Sequence, residues 1–270
     1  MKYSLLLLSS LLLMSCLNEP DIEPYDDTAD LAYLEEYAQR EDVTMTESGL
    51  LYRVIEEGEG NSPGVNNFVF AIYEGVSVDG SEQLSSDGDI TIFLPSEFQF
   101  FTGFAEGLQL MNEGSTYEFV LPSNLAVNDG RVYTFEVDMD SWLLNPDEFM
   151  EQNAEREDIV VTESGLQYRI IEQGTGKVPA EENIVRLDYK GTYTNGFVFD
   201  QTTDEPVEFL LSEVISGFKE GTRLINEGGT IELFIPPAIG YGSNPPSGII
   251  PGAILVFEID LIEIVEETEG

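Results

Sequence analysis

Short segments of alternating hydrophobic and polar residues run through most of the chain, and glycines interrupt them. LLYRVIEEG, from residue 50, and LQYRIIEQG, from residue 166, both alternate in this way. Such alternation places successive side chains on opposite faces of a β-strand. Asn195-Gly196 and Asp79-Gly80 lie between further extended runs and are strong hairpin-turn signals. The pattern predicts antiparallel strands joined by tight turns.

Two segments have a helical rather than an alternating pattern. The first segment is predicted to begin at Pro146. Asn145 is a suitable N-cap, Pro146 fits the first helical position, and acidic residues fill the first turn. The second is a short helix within SEVISGFKEGTRLINEGG, which we expect to end at Gly228-Gly229. Each helix is surrounded by strand-forming segments.

One passage occurs twice. REDVTMTESGLLYRVIEEGEG covers residues 40–60, and REDIVVTESGLQYRIIEQGTG covers residues 156–176. The strand-rich segments that follow also correspond, so we predict two units of the α+β class, each an antiparallel sheet curled around a short helix. The predicted domain boundaries are 31–146 and 147–266.

Composition limits the chemistry. The 270 residues contain no histidine and one cysteine, which excludes the usual Ser-His-Asp and Cys-His centres. Lys and Arg total 11 against 52 Asp and Glu, a net charge of −41 that argues against nucleic-acid binding. The acidic stretch at residues 79–89 lacks the spacing of an EF-hand, so no metal and no cofactor are predicted.

The N-terminus begins with Lys2 and an apolar run from Leu5 to Met14. The run is too short for a membrane-spanning helix and is typical of a signal peptide, predicted at residues 1–15. Leu-Met-Ser before Cys16 resembles a bacterial lipobox, which implies lipidation of Cys16 and attachment to a membrane of the cell envelope. The acidic residues 16–30 are predicted to be a disordered tether.

Four strings of the second unit, LDYKGTYTNGFVFD, VISGFKEG, IPPAIGYG and GIIPGAILVFEIDL, occur in an order that resembles the FKBP-type peptidyl-prolyl cis-trans isomerases. The resemblance implies a half-barrel of antiparallel strands around a short helix. It also implies isomerisation of proline-containing polypeptides, assisting the folding of exported proteins, and binding of the family's macrolide inhibitors.

Position by position, the resemblance assigns a proline pocket to this unit. The expected catalytic residues are Tyr189, Phe199, Asp200 and Tyr241. The expected substrate-binding residues are Phe209, Val214, Ile215, Phe218, Ile249, Ile250 and Phe257. Phe218 stands where the best-known members have tryptophan, and the loop after Ile250 is shorter than theirs, so pocket depth and mouth shape are expected to differ.

The first unit lacks most of these residues. Tyr73 corresponds to Tyr189, but the positions of Phe199, Asp200, Val214, Ile215 and Tyr241 are occupied by Gln83, Leu84, Phe100, Phe101 and Val127. We therefore predict a degenerate FKBP-like domain without isomerase activity. Its aromatic residues Phe98, Phe100, Phe101 and Phe104 are either core or a contact surface.

Two other functions remain open at the level of sequence. The chain is either an isomerase, or a lipoprotein that binds polypeptides without turnover, or a structural component of an envelope complex.

Overall fold

The computed structural model describes residues 25–265. The predicted signal peptide and Cys16 lie outside these residues. Helix α1, Thr28–Tyr37, begins within the segment predicted to be a tether. Asp30 is buried there and accepts hydrogen bonds from the Tyr25 hydroxyl (2.7 Å) and the Val132 N–H (2.7 Å). The prediction of disorder up to residue 30 was therefore wrong at its C-terminal end, because Asp30 is buried and bonded to Val132, a residue distant in sequence.

The first half of the described chain forms one antiparallel sheet and one helix packed on it. Its strands are β1 (Thr44–Met45), β2 (Leu51–Glu56), β3 (Val69–Ser77), β4 (Gln83–Ser85), β5 (Thr91–Phe93), β6 (Thr116–Leu121) and β7 (Tyr133–Trp142). Helix α2, Thr102–Leu108, lies between β5 and β6 in the chain. The sheet order is β1-β2-β6-β7-β3-β4, with β5 paired to β3.

The second half repeats this arrangement. It opens with α3 (Pro146–Ala154), and its strands are β8 (Val160–Val161), β9 (Gln167–Glu172), β10 (Ile184–Thr192), β11 (Val198–Gln201), β12 (Val207–Leu210), β13 (Gly229–Ile235) and β14 (Leu255–Val265). Helix α4, Ser216–Thr222, precedes β13. The sheet order is β8-β9-β13-β14-β10-β11, with β12 paired to β10. Both sheets have the same connectivity, and the predicted α+β class is confirmed.

Local sequence signals place several element boundaries. The Asn145 side chain accepts a hydrogen bond from the Asp147 N–H (3.0 Å), and Pro146 is the first residue of α3. Gly196 takes a positive φ of 85° in the hairpin between β10 and β11, as a tight turn requires. The prediction for the end of α4 was wrong: the helix ends at Thr222, and Gly228 instead turns the chain into β13 with a φ of 79°.

Glycines bring each short helix close to its sheet. A Cβ on Gly217 of α4 would lie 2.5 Å from Cγ2 of Ile235 in β13, and a Cβ on Gly107 of α2 would lie 2.6 Å from the Phe119 ring in β6. Only a residue without a side chain allows this approach. In both halves the helix therefore covers the concave face of the sheet and completes the core.

The two halves share buried apolar surface. Phe70 and Leu143 of the first half belong to the same hydrophobic cluster as Tyr193, Ile250 and Phe257 of the second half. Among residues 25–265 no helix is long and apolar enough to cross a membrane.

Candidate active site

A cavity of about 420 Å³ opens on the concave side of the second sheet, between α4 and the strands. Its lining residues come from β10, β11, β12, α4, β14 and the segments beside them: Tyr189, Asp200, Glu208, Phe209, Leu210, Glu213, Val214, Ile215, Phe218, Tyr241 and Phe257. A hollow of this size is within the range of small-ligand sites.

The inner wall of the cavity is aromatic. The ring of Phe218, on α4, is T-shaped to Phe257 (centroids 5.2 Å apart) and to Tyr189 (6.3 Å). Phe209 contacts both Tyr189 (5.8 Å) and Phe218 (6.1 Å). Such edge-to-face contacts hold each ring in one orientation. The glycines of α4 contribute to this geometry because they set the depth of Phe218.

The polar group nearest to these rings is a carboxylate. The Tyr189 hydroxyl donates a 2.6 Å hydrogen bond to Oδ2 of Asp200. Burial of Tyr189, together with the hydrogen bond to Asp200 and the negative charge of that residue, raises the pKa of the tyrosine well above its usual range. Tyr189 therefore stays protonated at neutral pH and holds the Asp200 carboxylate beside the aromatic wall.

Two further residues that line the cavity, Ile215 and Tyr241, each carry a hydrogen-bond donor. Ile215 is the N-cap residue of α4, so its N–H lies at the positive end of that helix. Among residues 25–265 no acceptor is hydrogen-bonded to this N–H. Tyr241 is 40% exposed at the mouth of the cavity.

Three predicted site residues do not line the cavity. The ring of Phe199 lies behind the wall, with its centroid 5.6 Å from Phe257 and 5.0 Å from Tyr193. Ile250 is buried, and its N–H donates a 2.9 Å hydrogen bond to the Tyr193 hydroxyl. Ile249 is half-buried against the core. These residues pack next to the wall and the mouth loop, and their contact with substrate stays a prediction.

Some lining residues were not predicted. Glu208 and Glu213 bring two further carboxylates to the rim, and Leu210 adds apolar surface. Leu210 follows Phe209 directly, and Glu213 precedes Val214. Proximity in sequence to predicted site residues could therefore have indicated that they line the cavity. Tyr193 was also missed, because its role depends on a loop that follows much later in the chain.

In the first half, the residues at the positions of Ile215 and Asp200 pack against the apolar core. Phe101 takes a left-handed conformation, with a φ of 53°, and its ring packs edge-on against Tyr133 (5.2 Å) and Phe135 (5.7 Å). Its N–H, which corresponds to that of Ile215, donates a 3.1 Å hydrogen bond to the Ala126 carbonyl. Leu84, at the position of Asp200, packs against the apolar core.

The predicted aromatic patch of the first half is divided between core and surface. Phe104 is buried, and Phe98 and Phe101 pack against the core, whereas Phe100 is 66% exposed. Within residues 25–265 no group of three or more Cys, Asp or Glu side chains could hold a metal ion.

Two family profiles match residues of the second half of the chain. Residues 176–262 match the profile of the FKBP-type peptidyl-prolyl cis-trans isomerases, and residues 141–170 match the domain that is amino-terminal to this isomerase. The C-terminal half of this chain is therefore similar to the FKBP family. The cavity lies within the part of the chain that matches the isomerase profile, and we refer to this half as the FKBP domain.

Relatives of the FKBP domain occur in several bacteria. FkpA of Aeromonas hydrophila, an FKBP-type peptidyl-prolyl cis-trans isomerase, is 39% identical over 120 residues, which is 44% of this chain and 45% of that protein. The outer membrane protein MIP of Legionella longbeachae is 40% identical over 121 residues, 44% of this chain and 52% of that protein. The chain therefore spans about half the length of these relatives. A crystal structure of Escherichia coli FkpA aligns with 46% of this chain and 59% of that chain, at 36% identity and a TM-score of 0.44.

Proposed function

We propose that the FKBP domain is a peptidyl-prolyl cis-trans isomerase that assists the folding of exported or envelope proteins. The single observation that carries the proposal is the cavity, in which an aromatic wall lies beside the Asp200 carboxylate that is hydrogen-bonded to Tyr189. The matches to FKBP-type isomerases support the same activity.

This cavity suits a reaction in which no covalent bond is broken. Resonance gives the X–Pro amide a rotation barrier of about 18–20 kcal/mol, and its isomerisation takes roughly tens to hundreds of seconds unaided. The twisted transition state has lost that resonance, so its carbonyl is less polar than that of the planar amide. An apolar pocket therefore destabilises the planar form more than the twisted form. Each ~1.4 kcal/mol of such differential binding accelerates the reaction about tenfold.

Three groups are proposed to orient the substrate. Tyr241 donates a hydrogen bond to a carbonyl next to the proline, and the Ile215 N–H holds a second carbonyl. Asp200 supplies a fixed negative potential at the twisting amide. Phe199, Ile249 and Ile250, which the family resemblance also assigned to the site, act through the residues that they contact.

The test is isomerisation of a prolyl tetrapeptide by the full chain and by two variants, Asp200→Leu and Tyr241→Phe. We expect about 10–100-fold lower kcat/KM for each variant, because each loses an interaction made at the reacting amide. Asp204→Leu is the matched control for charge, since Asp204 is exposed and outside the cavity lining. Tyr168→Phe is the control for removal of a tyrosine hydroxyl. Wild-type rates in both site variants would contradict the proposed roles.

The same assay separates an isomerase from a protein that only binds polypeptides. Binding of a prolyl peptide by the wild-type chain, without acceleration of its isomerisation, would favour the binding protein. A macrolide inhibitor of the FKBP family is expected to compete with the peptide. Its affinity is expected to differ from that for family members with tryptophan at the cavity floor, because Phe218 stands there in this chain.

The first half, residues 31–146, is proposed to be a non-catalytic FKBP-like domain. The proposal is supported by Phe101, whose ring packs against Phe135 and whose N–H is already bonded to Ala126, and by Leu84 in place of a carboxylate. Any isomerase activity that remains in the Asp200→Leu variant should therefore be the same in the double variant Asp200→Leu, Tyr73→Phe. Residual activity lost with Tyr73 would assign catalysis to the first half.

Residues 1–15 are proposed to be a signal peptide, and residues 16–30 a segment that leads from a lipidated Cys16 to the folded chain, at a membrane of the bacterial envelope. The lipobox-like sequence supports this location, and one relative is named as an outer membrane protein. Metabolic labelling with a fatty-acid analogue tests it. The wild-type chain should incorporate label, and Cys16→Ser should not.

A further inference from the structure

The loop at the mouth of the cavity runs from residue 241 to residue 254, between a single 3₁₀ turn and β14. Its backbone N–H groups bond mainly within the loop or to the adjoining turn, as in Gly252 to Gly242 (2.9 Å) and Gly242 to Pro237 (3.0 Å). One hydrogen bond differs. Among residues 25–265, the Ile250 N–H to Tyr193 hydroxyl bond is the one that ties this loop to a distant part of the chain.

Tyr193 lies at the tip of the hairpin between β10 and β11. It is 1% exposed, and its N–H donates to the Phe197 carbonyl (2.9 Å). Its ring stacks on Phe197 (centroids 6.3 Å) and contacts Phe199 (5.0 Å), which in turn contacts the cavity residue Phe257 (5.6 Å). One side chain therefore contacts both the mouth loop and the back of the cavity wall.

The hairpin tip is itself held by the first half of the chain. Phe70, fully buried on β3, places its ring 5.1 Å from Phe197 and 6.2 Å from Tyr193. Asn195 Nδ2 donates a 2.8 Å hydrogen bond to the Ser141 hydroxyl on β7. An apolar contact and a polar contact thus fix the hairpin against the first sheet, and a rigid hairpin is a firm support for the loop.

From these contacts we infer that Tyr193 is a positioning residue for the proposed isomerase, and that the first half stabilises the mouth of the active site through it. This inference depends on the proposed function. The first half contributes no group to the cavity, but its Phe70 and Ser141 contact the hairpin that carries Tyr193. The Tyr193 hydroxyl in turn accepts the hydrogen bond from the Ile250 N–H. The mouth loop carries Tyr241, so its position determines how well substrate is bound.

Tyr193→Phe in the full chain removes the hydroxyl and keeps the ring. We expect the Ile250 amide to exchange with solvent at least about tenfold faster, because its buried N–H loses its acceptor. We expect KM for a prolyl peptide to rise about three- to tenfold with kcat changed less than about twofold, because a loosened loop weakens binding more than it alters the reacting groups. Tyr168→Phe, which removes a hydroxyl from β9 outside the cavity lining, should change neither quantity.

Two variants test the contribution of the first half. Phe70→Leu removes the aromatic contact, and Ser141→Ala removes the two hydrogen bonds of the serine hydroxyl, to Asn195 and to the adjacent Asp140, while the apolar packing stays intact. Each should accelerate Ile250 exchange and raise KM in the same direction as Tyr193→Phe, with an unchanged near-ultraviolet circular dichroism spectrum as the check on folding. Unchanged exchange and KM in both would overturn the role of the first half.

The outcomes separate this inference from the proposed function. A wild-type chain without isomerase activity would refute the proposed function, and Ile250 exchange would still report whether Tyr193 and the first half hold the loop. An active wild type with unchanged Ile250 exchange and unchanged KM in Tyr193→Phe would overturn the inference alone.

Discussion

Gly191 offers a direct test of the cavity. In the sheet it lies opposite Phe257 of β14 on one side and Asp200 of β11 on the other. A Cβ at this position would lie 2.8 Å from Cε2 and Cζ of Phe199 and 3.0 Å from Cε1 of Phe257. Gly191→Ala therefore adds one methyl group directly against the wall of the cavity, on a backbone that alanine tolerates.

The expected effect follows from these distances. Non-bonded carbons are in favourable contact at about 3.5–4.0 Å, so the rings must retreat by roughly 0.5–1 Å. Overpacking of this kind typically costs about 1–3 kcal/mol of stability. Phe257 also contacts Phe218 at the cavity floor, so the shift is transmitted to the pocket. A displacement of about 1 Å can lower activity about 100-fold, and we expect kcat/KM to fall about 10–100-fold.

The repeat supplies a matched control. Gly75 occupies the corresponding place in the first half, opposite Phe135 and Leu84, and a Cβ there would lie 2.5 Å from Cδ1 of Phe135. Gly75→Ala should lower the unfolding midpoint in urea by a comparable or larger amount and leave kcat/KM within about twofold. Wild-type activity in a folded Gly191→Ala would refute the reasoning. Equal losses of activity in both variants would place the effect outside the cavity.

Three predictions concern stability. Burial alone would raise the pKa of Glu118, but hydrogen bonds from Arg53 (2.7 Å) and Tyr37 (2.6 Å) outweigh it and hold the pKa below its usual value. The ionised Glu118 thus stabilises the fold at neutral pH, and the advantage of wild type over Glu118→Gln in free energy of unfolding should shrink as pH falls from about 6 to about 3. Asn145→Ala should cost about 1 kcal/mol through loss of the α3 cap. Phe100→Ser should change stability by less than about 0.5 kcal/mol because Phe100 is 66% exposed, whereas Phe101→Ser should cost about 3–5 kcal/mol.

Denaturant unfolding measures all three, and each has its own control. Glu74 is exposed on β3 of the same sheet, so Glu74→Gln should change the free energy of unfolding by less than about 0.5 kcal/mol. Asn145→Asp keeps a capping oxygen and should retain most of the stability. A Phe100→Ser variant as unstable as Phe101→Ser would show that the aromatic residues of the first half form one buried cluster.

Much of the fold could be predicted from the sequence because it depends on near neighbours in the chain. Alternation predicted strands such as β2 and β9, Asn195-Gly196 predicted a hairpin, and Asn145-Pro146 predicted the start of α3. These features follow from steric and hydrogen-bonding preferences over a few residues. The sequence repeat then predicted that one arrangement would occur twice.

The tertiary structure decided which aromatic residues line the cavity and which support it. Phe199 and Phe257 are both strand phenylalanines, yet of the two only Phe257 lines the cavity. The register of the strands and the position of α4 against the sheet determine which ring faces the cavity. The tertiary structure also decided that the Ile250 N–H would donate a hydrogen bond to the Tyr193 hydroxyl, and that the Phe101 N–H would donate one to the Ala126 carbonyl. These contacts join residues far apart in the chain, so no local pattern contains them. They form only when the sheets and the loops between them are assembled.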